Sequence, residues 1–284
     1  MAQELPDLKV LRRSWPEYQD ESTTYPVAVN GATFGGDEPV VIAGPCAIES
    51  YEQTIEVARA VRKAGCKLMR GGVFKPRTNP HSFQGLGTEG LKVLAQVREE
   101  TGLGVVTEVL DPRLVEKTAE VADMIQIGSR SMHNFPLLIE VGKAGVPVLL
   151  KRSWSATLKE WICAAEYIAK EGNRNIVLCE RGIRASCHWE YARNLLDLNV
   201  IEPLRSATPL PVIVDPSHST GQWHLVAGMA RAALAAGAHG LLIEVVGSEM
   251  ARAGLKCDAH QGIPPSILDE IMGAASERQT VCRS

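Results

Sequence analysis

The sequence has few aromatic residues and no paired cysteine motif, and each absence narrows the class of protein. Aromatic residues make up 5% of the 284 positions, whereas hydrophobic residues make up 45%. This composition suits a core of Val, Ile, Leu and Ala packed in parallel strands and helices. The seven cysteines form no CxxC pair and their number is odd, which argues against a disulfide scaffold. We therefore expect reduced thiols and a cytoplasmic location.

Excess charge and long hydrophobic runs are missing as well. The net charge is −3 and the isoelectric point is near 6.2, so there is no basic surface of the kind that binds nucleic acid or membranes. The longest apolar region, residues 225–246, is interrupted by Arg231 and His239 and falls short of the roughly 18 uninterrupted residues of a membrane span. The polar N-terminus is unlike a signal peptide. We expect neither nucleic acid nor membrane as a partner.

From residue 40 onward, strand-like apolar runs alternate with helix-length segments, which predicts a single (β/α)₈ TIM barrel. An open doubly wound sheet is the alternative architecture, but no GxGxxG follows the first run. Asn30-Gly31, between two short runs in residues 25–34, predicts a β-hairpin that could close the barrel floor. We expect a flexible lead-in over 1–24, the catalytic barrel over 25–275 and a tail over 276–284. The eight runs are Val40–Ala43, Lys67–Arg70, Gly104–Glu108, Met124–Ile127, Val146–Lys151, Ile176–Glu180, Val212–Asp215 and Leu241–Val245.

The predicted strands end in charged and metal-binding residue types, which a packed core would exclude. Carboxyl ends of barrel strands share one rim, where such enzymes have their active sites. One group, Cys46, His218, Glu244 and Asp258, suits Mn²⁺, Fe²⁺, Co²⁺ or Zn²⁺. A second group is cationic and matches a phosphorylated, carboxylated substrate: Arg70, Lys75, Arg130, Lys151 and Arg181. Structural ion pairs with Glu108, Glu180 and Asp215 are the alternative for any single cation.

The rim residues lie in short sequence motifs that resemble the motifs of one enzyme family. These motifs are GPCAIES at 44–50, RGGVFKPRTNPHSFQGLG at 70–87, GSRSMHN at 128–134, PVLLKRS at 147–153, CERGIR at 179–184, DPSHSTG at 215–221 and IEV at 243–245. Together they resemble the compact type I 3-deoxy-D-arabino-heptulosonate 7-phosphate (DAHP) synthases, in the superfamily that also contains the 3-deoxy-octulosonate 8-phosphate synthases. The resemblance covers residues 25–275. It implies a (β/α)₈ barrel that condenses phosphoenolpyruvate with erythrose 4-phosphate in the first step of the shikimate pathway, which leads to aromatic amino acids.

The resemblance also implies roles for individual residues. Metal ligands fall on Cys46, His218, Glu244 and Asp258, with Mn²⁺ favoured and Co²⁺, Fe²⁺ or Zn²⁺ as alternatives. Phosphoenolpyruvate would contact Arg70, Lys75, Arg130, Lys151 and Arg181, and the acceptor would contact Pro76, Arg77 and Thr78. Lys75, Cys46 and His218 are the expected catalytic residues, with Lys75 or a metal-bound water as the proton source. The motif KPRT at residues 75–78 favours a four-carbon acceptor. The octulosonate enzymes, which take a five-carbon acceptor, have KANRSS at this place.

Four segments depart from the family pattern: Ser153-Trp154, Ala185-Ser186-Cys187, Asn79 and the loop after Glu244. The last departure concerns the fourth ligand most, because His260 or Glu249 could replace Asp258. Trp154 either narrows the pocket, which would favour an unusual aldose or analogue as acceptor, or packs outside it.

Three further expectations concern function and assembly. A non-catalytic barrel that serves as a binding or regulatory partner is the alternative from another functional class. The sequence has no segment resembling a regulatory domain, so no inhibition by aromatic amino acids is expected from within this chain. By resemblance to the family, the chain is expected to form a homo-oligomer, either a dimer or a tetramer.

Overall fold

The barrel predicted from the eight apolar runs is present in the computed structural model, which describes residues 8–185, 193–247, 255–257 and 260–281. Within these residues eight parallel strands close into a barrel, in which strands that follow each other along the chain are neighbours and the last strand pairs with the first. Every strand position is buried, as expected for parallel strands covered by helices. The strands are β3 Val40–Gly44, β4 Leu68–Arg70, β5 Gly104–Glu108, β6 Met124–Ile127, β7 Val148–Lys151, β8 Ile176–Glu180, β9 Val212–Val214 and β10 Gly240–Glu244.

Helices connect the strands and cover the outside of the barrel. Some of them begin at capping residues that the sequence supplies: Ser50 Oγ accepts from the Gln53 amide at 3.1 Å, and Thr157 forms a capping box with Glu160. The helices are α1 Tyr51–Lys63, α2 Thr88–Thr101, α3 Val115–Ala119, α4 Phe135–Ala144, α5 Leu158–Lys170, α6 Ile201–Ala207, α7 Pro216–Thr220, α8 Trp223–Ala235 and α9 Pro265–Val281. In the described part of the chain, no helix is both long and apolar enough to cross a membrane.

The predicted hairpin closes the amino-terminal end of the barrel. Its strands, β1 Val27–Val29 and β2 Ala32–Phe34, pair antiparallel. Asn30 and Gly31 have φ values of 42° and 73°, the two positive values that a type I′ turn requires. The inward side chains of the hairpin belong to the same apolar cluster as the side chains inside the barrel, so the floor is a packed core and not an opening.

Regular structure is present in both segments that flank the predicted barrel, within residues 8–24 and 276–281. Val10, Leu11 and Trp15 are fully buried, and short 3₁₀ helices form at Arg12–Ser14 and Pro16–Tyr18. These few apolar residues are too irregularly spaced to produce a periodic signal, which is why a flexible lead-in was expected. The closing helix α9 continues to Val281, past the boundary expected at residue 275.

Candidate active site

A cavity of about 280 Å³ opens at the carboxyl ends of the strands. All eight predicted substrate-binding residues line it, together with the predicted metal ligand His218. These lining residues are Arg70, Lys75, Pro76, Arg77, Thr78, Arg130, Lys151, Arg181 and His218. Residues that were not assigned to the site from sequence also line it, namely Asn79, Ser82, Glu108, Gln126, Gly128, Ser129 and Arg193. Trp154, for which the sequence left both positions open, lines the cavity as well. One cationic cavity therefore gathers side chains from strand ends far apart in sequence.

The cations around this cavity have different partners. Lys151 Nζ lies 2.6 Å from Asp215 Oδ2, and Arg70 forms a buried ion pair with Glu244. The alternative of a structural ion pair with Asp215 is thus realised for Lys151, whereas the partner of Arg70 is Glu244, a predicted metal ligand. By contrast, hydrogen bonds from Arg181 go to the carbonyl oxygens of His218, at 3.2 Å, and Gly182, at 3.5 Å. Burial lowers the pKa of Arg181, because the surroundings disfavour an uncompensated charge.

Glu108 brings a carboxyl group into the cationic wall. Its carboxylate approaches Gly128 so closely that a Cβ at residue 128 would lie 1.9 Å from Glu108 Oε1, so the glycine is needed for this close approach. Burial raises the pKa of Glu108, although Lys75 and Lys151 act in the opposite direction. Glu180, the other expected carboxylate partner, pairs instead with Arg152 at 3.1 Å.

His218 lies between two buried carboxylates, one at each ring nitrogen. Nδ1 is 2.7 Å from Asp215 Oδ2, and Nε2 is 3.3 Å from Glu244 Oε1. The Nδ1 contact is short without being aligned as a hydrogen bond. Burial lowers the pKa of His218 to about 4, so the ring is neutral near pH 7. A neutral imidazole oriented by a carboxylate at its other nitrogen is the usual arrangement of a metal-binding histidine.

Glu244 is held on both of its oxygens. Arg70 binds Oε1, and Gln261 Nε2 donates to Oε2 at 2.5 Å. Burial acts against ionisation, yet contact with His218 and the positive charges of Arg70 and Lys75 hold the pKa of Glu244 well below its usual range. The carboxylate is therefore available as an anionic ligand.

Cys46 lies against a second thiol that sequence analysis did not single out. Cys46 Sγ is 3.1 Å from Cys257 Sγ. Lys75 Nζ donates to Cys46 Sγ at 3.2 Å, and Arg77 NH1 donates to Cys257 Sγ at 2.9 Å. Contact with Cys257 and burial raise the pKa of the Cys46 thiol. The signal for Cys257 was present in the sequence, since it immediately precedes Asp258 in the segment aligned with the family's ligand loop.

The chemistry of these side chains fits a divalent transition metal, but their positions are only partly convergent. A thiol, a neutral imidazole and a carboxylate are a mixed donor set of the kind that binds Mn²⁺, Fe²⁺, Co²⁺ or Zn²⁺. His218 and Glu244 already face each other, whereas Cys46 Sγ faces Cys257 and Lys75, and the Arg70 guanidinium contacts Glu244 and the Cys46 carbonyl. Within the described residues, no three His, Cys, Asp or Glu side chains are gathered closely enough to hold an ion.

The predicted fourth ligand, Asp258, lies outside the described residues, as do Glu249, Ser186 and Cys187. His260 is described and is exposed at the surface. Its carbonyl oxygen accepts from the Trp223 amide at 2.9 Å.

Arg193 was missed from the sequence because it follows no strand and belongs to no periodic pattern. It lines the cavity, and its NH1 donates to Gln261 Oε1 at 3.3 Å. Gln261 in turn contacts Glu244, so Arg193 is linked to the proposed metal ligand through one amide side chain.

A family of known proteins matches nearly the whole chain. The model of the DAHP synthetase I family matches residues 21–281. This chain belongs to the DAHP synthetase I family. The family is metal-dependent, in agreement with the donor types found at the rim.

Relatives of two kinds match most of the chain. A "Phospho-2-dehydro-3-deoxyheptonate aldolase" of Thermotoga maritima is 45% identical over 230 residues, which are 81% of this chain and 67% of the relative. A "2-dehydro-3-deoxyphosphooctonate aldolase" of Syntrophobacter fumaroxidans is 34% identical over 235 residues, or 76% of this chain and 80% of the relative.

Solved structures of the family confirm the barrel. The crystal structure of the Thermotoga maritima DAHP synthase superimposes with a TM-score of 0.89 at 38% identity, covering 98% of this chain and 78% of that one. A truncated form of the Thermotoga maritima enzyme gives a TM-score of 0.85 at 35% identity, with 96% of each chain covered.

Proposed function

We propose that this chain condenses phosphoenolpyruvate with erythrose 4-phosphate to give DAHP and phosphate, the first step of the shikimate pathway. The observation that carries the proposal is the cavity in which several cations surround one enclosed volume. Such a cavity suits a small substrate with both a phosphate and a carboxylate, because guanidinium groups bind each oxyanion through paired N–H donors. The residues proposed for phosphoenolpyruvate are Arg70, Lys75, Arg130, Lys151 and Arg181.

The reaction follows from the groups in the cavity. C3 of phosphoenolpyruvate attacks the aldehyde carbon of the acceptor and forms the new C–C bond. Water adds at C2, and the C–O bond to phosphate breaks. Arg130, Lys151 and Arg181 stabilise the negative charge that the phosphate and carboxylate carry through this sequence. The Lys75 ammonium can deliver a proton to the new alkoxide.

We propose Cys46, His218, Glu244 and Asp258 as the metal ligands, with Mn²⁺ as the metal and Co²⁺, Fe²⁺ or Zn²⁺ as alternatives. A bound divalent ion would supply Lewis-acid polarisation of the acceptor's aldehyde. Asp215 orients the His218 ring, because its carboxylate lies at Nδ1 and leaves Nε2 directed at Glu244. The role of Asp215 is therefore positioning.

The acceptor is proposed to contact Pro76, Arg77 and Thr78, which line the same cavity. Two observations favour a four-carbon acceptor. The first is the motif KPRT at 75–78. The second is sequence identity, which is 45% to the heptonate relative and 34% to the octonate relative. Trp154 supports a second candidate, the same chemistry on an unusual aldose phosphate or analogue, because it is part of the cavity wall.

Phosphate release from phosphoenolpyruvate tests the proposal. The protein loaded with Mn²⁺ is assayed with erythrose 4-phosphate, arabinose 5-phosphate and ribose 5-phosphate, with the Cys46→Ala variant and a chelated sample as controls. We expect release with erythrose 4-phosphate, recovery of activity when metal is restored, and transfer of the bridging oxygen of labelled phosphoenolpyruvate into phosphate. Preference for another acceptor would support the second candidate, and no release with any acceptor would favour a non-catalytic binding protein.

We also propose that the chain forms a homo-oligomer, a dimer or a tetramer, by analogy with the family. Light scattering coupled to gel filtration distinguishes these states, and a monomer at micromolar concentration would contradict the proposal.

A further inference from the structure

Trp154 is the centre of a cluster of guanidinium groups at the edge of the cavity. Arg130 Cζ lies 4.9 Å from the centroid of the indole ring, Arg184 Cζ lies 5.6 Å away and Arg181 Cζ lies 5.7 Å away. All three distances are within the approximately 6 Å at which a cation is attracted to an aromatic face. A single ring thus serves three arginines.

Two of these arginines are substrate-facing and the third is not. Arg130 and Arg181 line the cavity together with Trp154, whereas Arg184 does not line it. Guanidinium groups gathered around one ring repel one another, and burial already disfavours the charge on Arg181. The negative face of an indole ring offsets part of this cost. It can therefore hold the two cavity arginines close together before any anion is bound.

The backbone keeps the indole ring in place. Trp154 lies in the turn after β7, which ends at Lys151, and its carbonyl oxygen accepts from the Arg184 amide at 2.9 Å. The preceding residue, Ser153, donates its amide to Met132 Sδ at 3.2 Å. Because the backbones of Ser153 and Trp154 are both held by hydrogen bonds, the indole ring can act as a fixed support.

Resting on the function proposed above, we propose that Trp154 is a positioning residue for the phosphoenolpyruvate site. Its indole ring holds Arg130 and Arg181 in the orientation in which their N–H groups bind the oxyanions of the substrate, and Arg184 braces the ring from outside the cavity. Preorganised donors bind an anion more tightly, because the ligand need not order the side chains on arrival. Trp154 itself donates nothing to the reacting atoms.

A different role would place Trp154 in the wall that limits acceptor size. The two roles predict that a substitution of Trp154 affects the binding of different substrates. A positioning role changes the affinity for phosphoenolpyruvate measured without acceptor, whereas a size-limiting role changes acceptor preference and leaves that affinity unchanged. The contacts with Arg130 and Arg181, which both belong to the proposed phosphoenolpyruvate group, favour the positioning role.

The test measures phosphoenolpyruvate binding by calorimetry in the Mn²⁺-loaded protein, without acceptor and therefore without turnover. We expect Trp154→Leu to weaken binding about tenfold, the size of a well-formed cation–π contribution, and to raise KM for phosphoenolpyruvate more than it lowers kcat. Trp154→Phe keeps an aromatic face and should retain most of the affinity. Arg184→Met, which removes the brace outside the cavity, should weaken binding in the same direction by a smaller factor.

A matched control is available at the other end of the molecule. Arg174 Cζ lies 4.5 Å from the Trp15 ring centroid, so Arg174→Met removes a cation–π contact outside the cavity and should leave phosphoenolpyruvate affinity unchanged. Equal affinity in wild type and Trp154→Leu, with or without a shift in acceptor preference, would overturn the inference while leaving the proposed function intact. If wild type neither binds phosphoenolpyruvate nor releases phosphate, the proposed function itself fails.

Discussion

The two ends of the barrel are built from the same strands and have opposite chemistry. At the amino-terminal end, Val27 and Phe34 of the hairpin pack with barrel-interior residues such as Ile42 and Leu242 in one apolar cluster. At the carboxyl-terminal end, the same strands finish in Arg70, Lys151, Glu180 and Glu244, all of them buried.

This difference shows how one fold separates stability from function. The floor gains stability by removing apolar surface from water. The rim must bury charges, which lowers stability unless each charge is paired or hydrogen-bonded. Substitutions at the floor should therefore change unfolding and leave catalysis unchanged, whereas substitutions at the rim should change catalysis, with a stability change only where a buried charge loses its partner.

Lys151→Met should have the largest effect, because it acts on both quantities. Lys151 and Asp215 form a buried ion pair in which the side chains are 4% and 0% exposed. Removing one partner of such a pair typically costs about 3 to 5 kcal/mol, so the free energy of unfolding in urea should fall by that order. Phosphate release should fall as well, since a substrate-facing cation is lost.

The double variant Lys151→Met with Asp215→Asn separates these two effects. It removes both charges, so part of the stability should return while phosphate release stays low. Recovery of activity in the double variant would show that Lys151 serves only to neutralise Asp215.

Phe34→Ala should have the largest effect at the floor. Phe34 is fully buried, and truncating a buried aromatic residue typically costs about 3 to 5 kcal/mol. Urea unfolding should show this loss, while KM for phosphoenolpyruvate stays at the wild-type value under conditions where the variant is folded. Thr33→Ala is the control, because Thr33 is exposed on the outer face of the same strand. A raised KM in Phe34→Ala would break the proposed separation of the two ends.

Cys46→Ala should reduce activity with little change in stability. Loss of a residue that only supports a metal ligand already lowers affinity or activity about 10- to 100-fold, so loss of a proposed ligand should lower phosphate release more than about a hundredfold. Co²⁺ binding, followed by its thiolate absorption band, should be lost together with activity. Cys163→Ala, at a half-buried position on α5, should leave both unchanged. A persistent thiolate band in Cys46→Ala would point to Cys257 as the sulfur that binds the metal.

The sequence allowed prediction of those features that depend on local patterns. Apolar runs bounded by Gly, Pro and charged residues predicted all eight barrel strands to within about two residues at each end, and Asn30-Gly31 predicted the hairpin. Strand-end positions also predicted that Arg70, Lys151 and Glu244 lie at one rim, because the strand ends of a parallel barrel share one rim.

Features that depend on long-range packing were not predictable in this way. Arg193 and Cys257 approach the site through loops without periodicity, and the burial of Trp15 follows from contacts that no local pattern encodes. Nor does spacing along the chain reveal that Arg70 contacts both Glu244 and the Cys46 carbonyl. Such contacts are set by side-chain directions in three dimensions, which a one-dimensional pattern leaves open.

Gly31→Ala should have the smallest effect and tests the floor at its turn. Gly31 has φ of 73°, and a Cβ there would meet no atom within 4 Å, so the cost comes from the backbone conformation alone, about 1 kcal/mol. Gly228→Ala is the matched control, since Gly228 lies in helix α8 with equally open space and no positive φ; alanine should stabilise the helix by about 0.5 to 1 kcal/mol. Opposite shifts in the urea midpoint, with kcat/KM unchanged in both variants, would confirm that the floor contributes stability without affecting the rim, and a fall in kcat/KM for Gly31→Ala would contradict it.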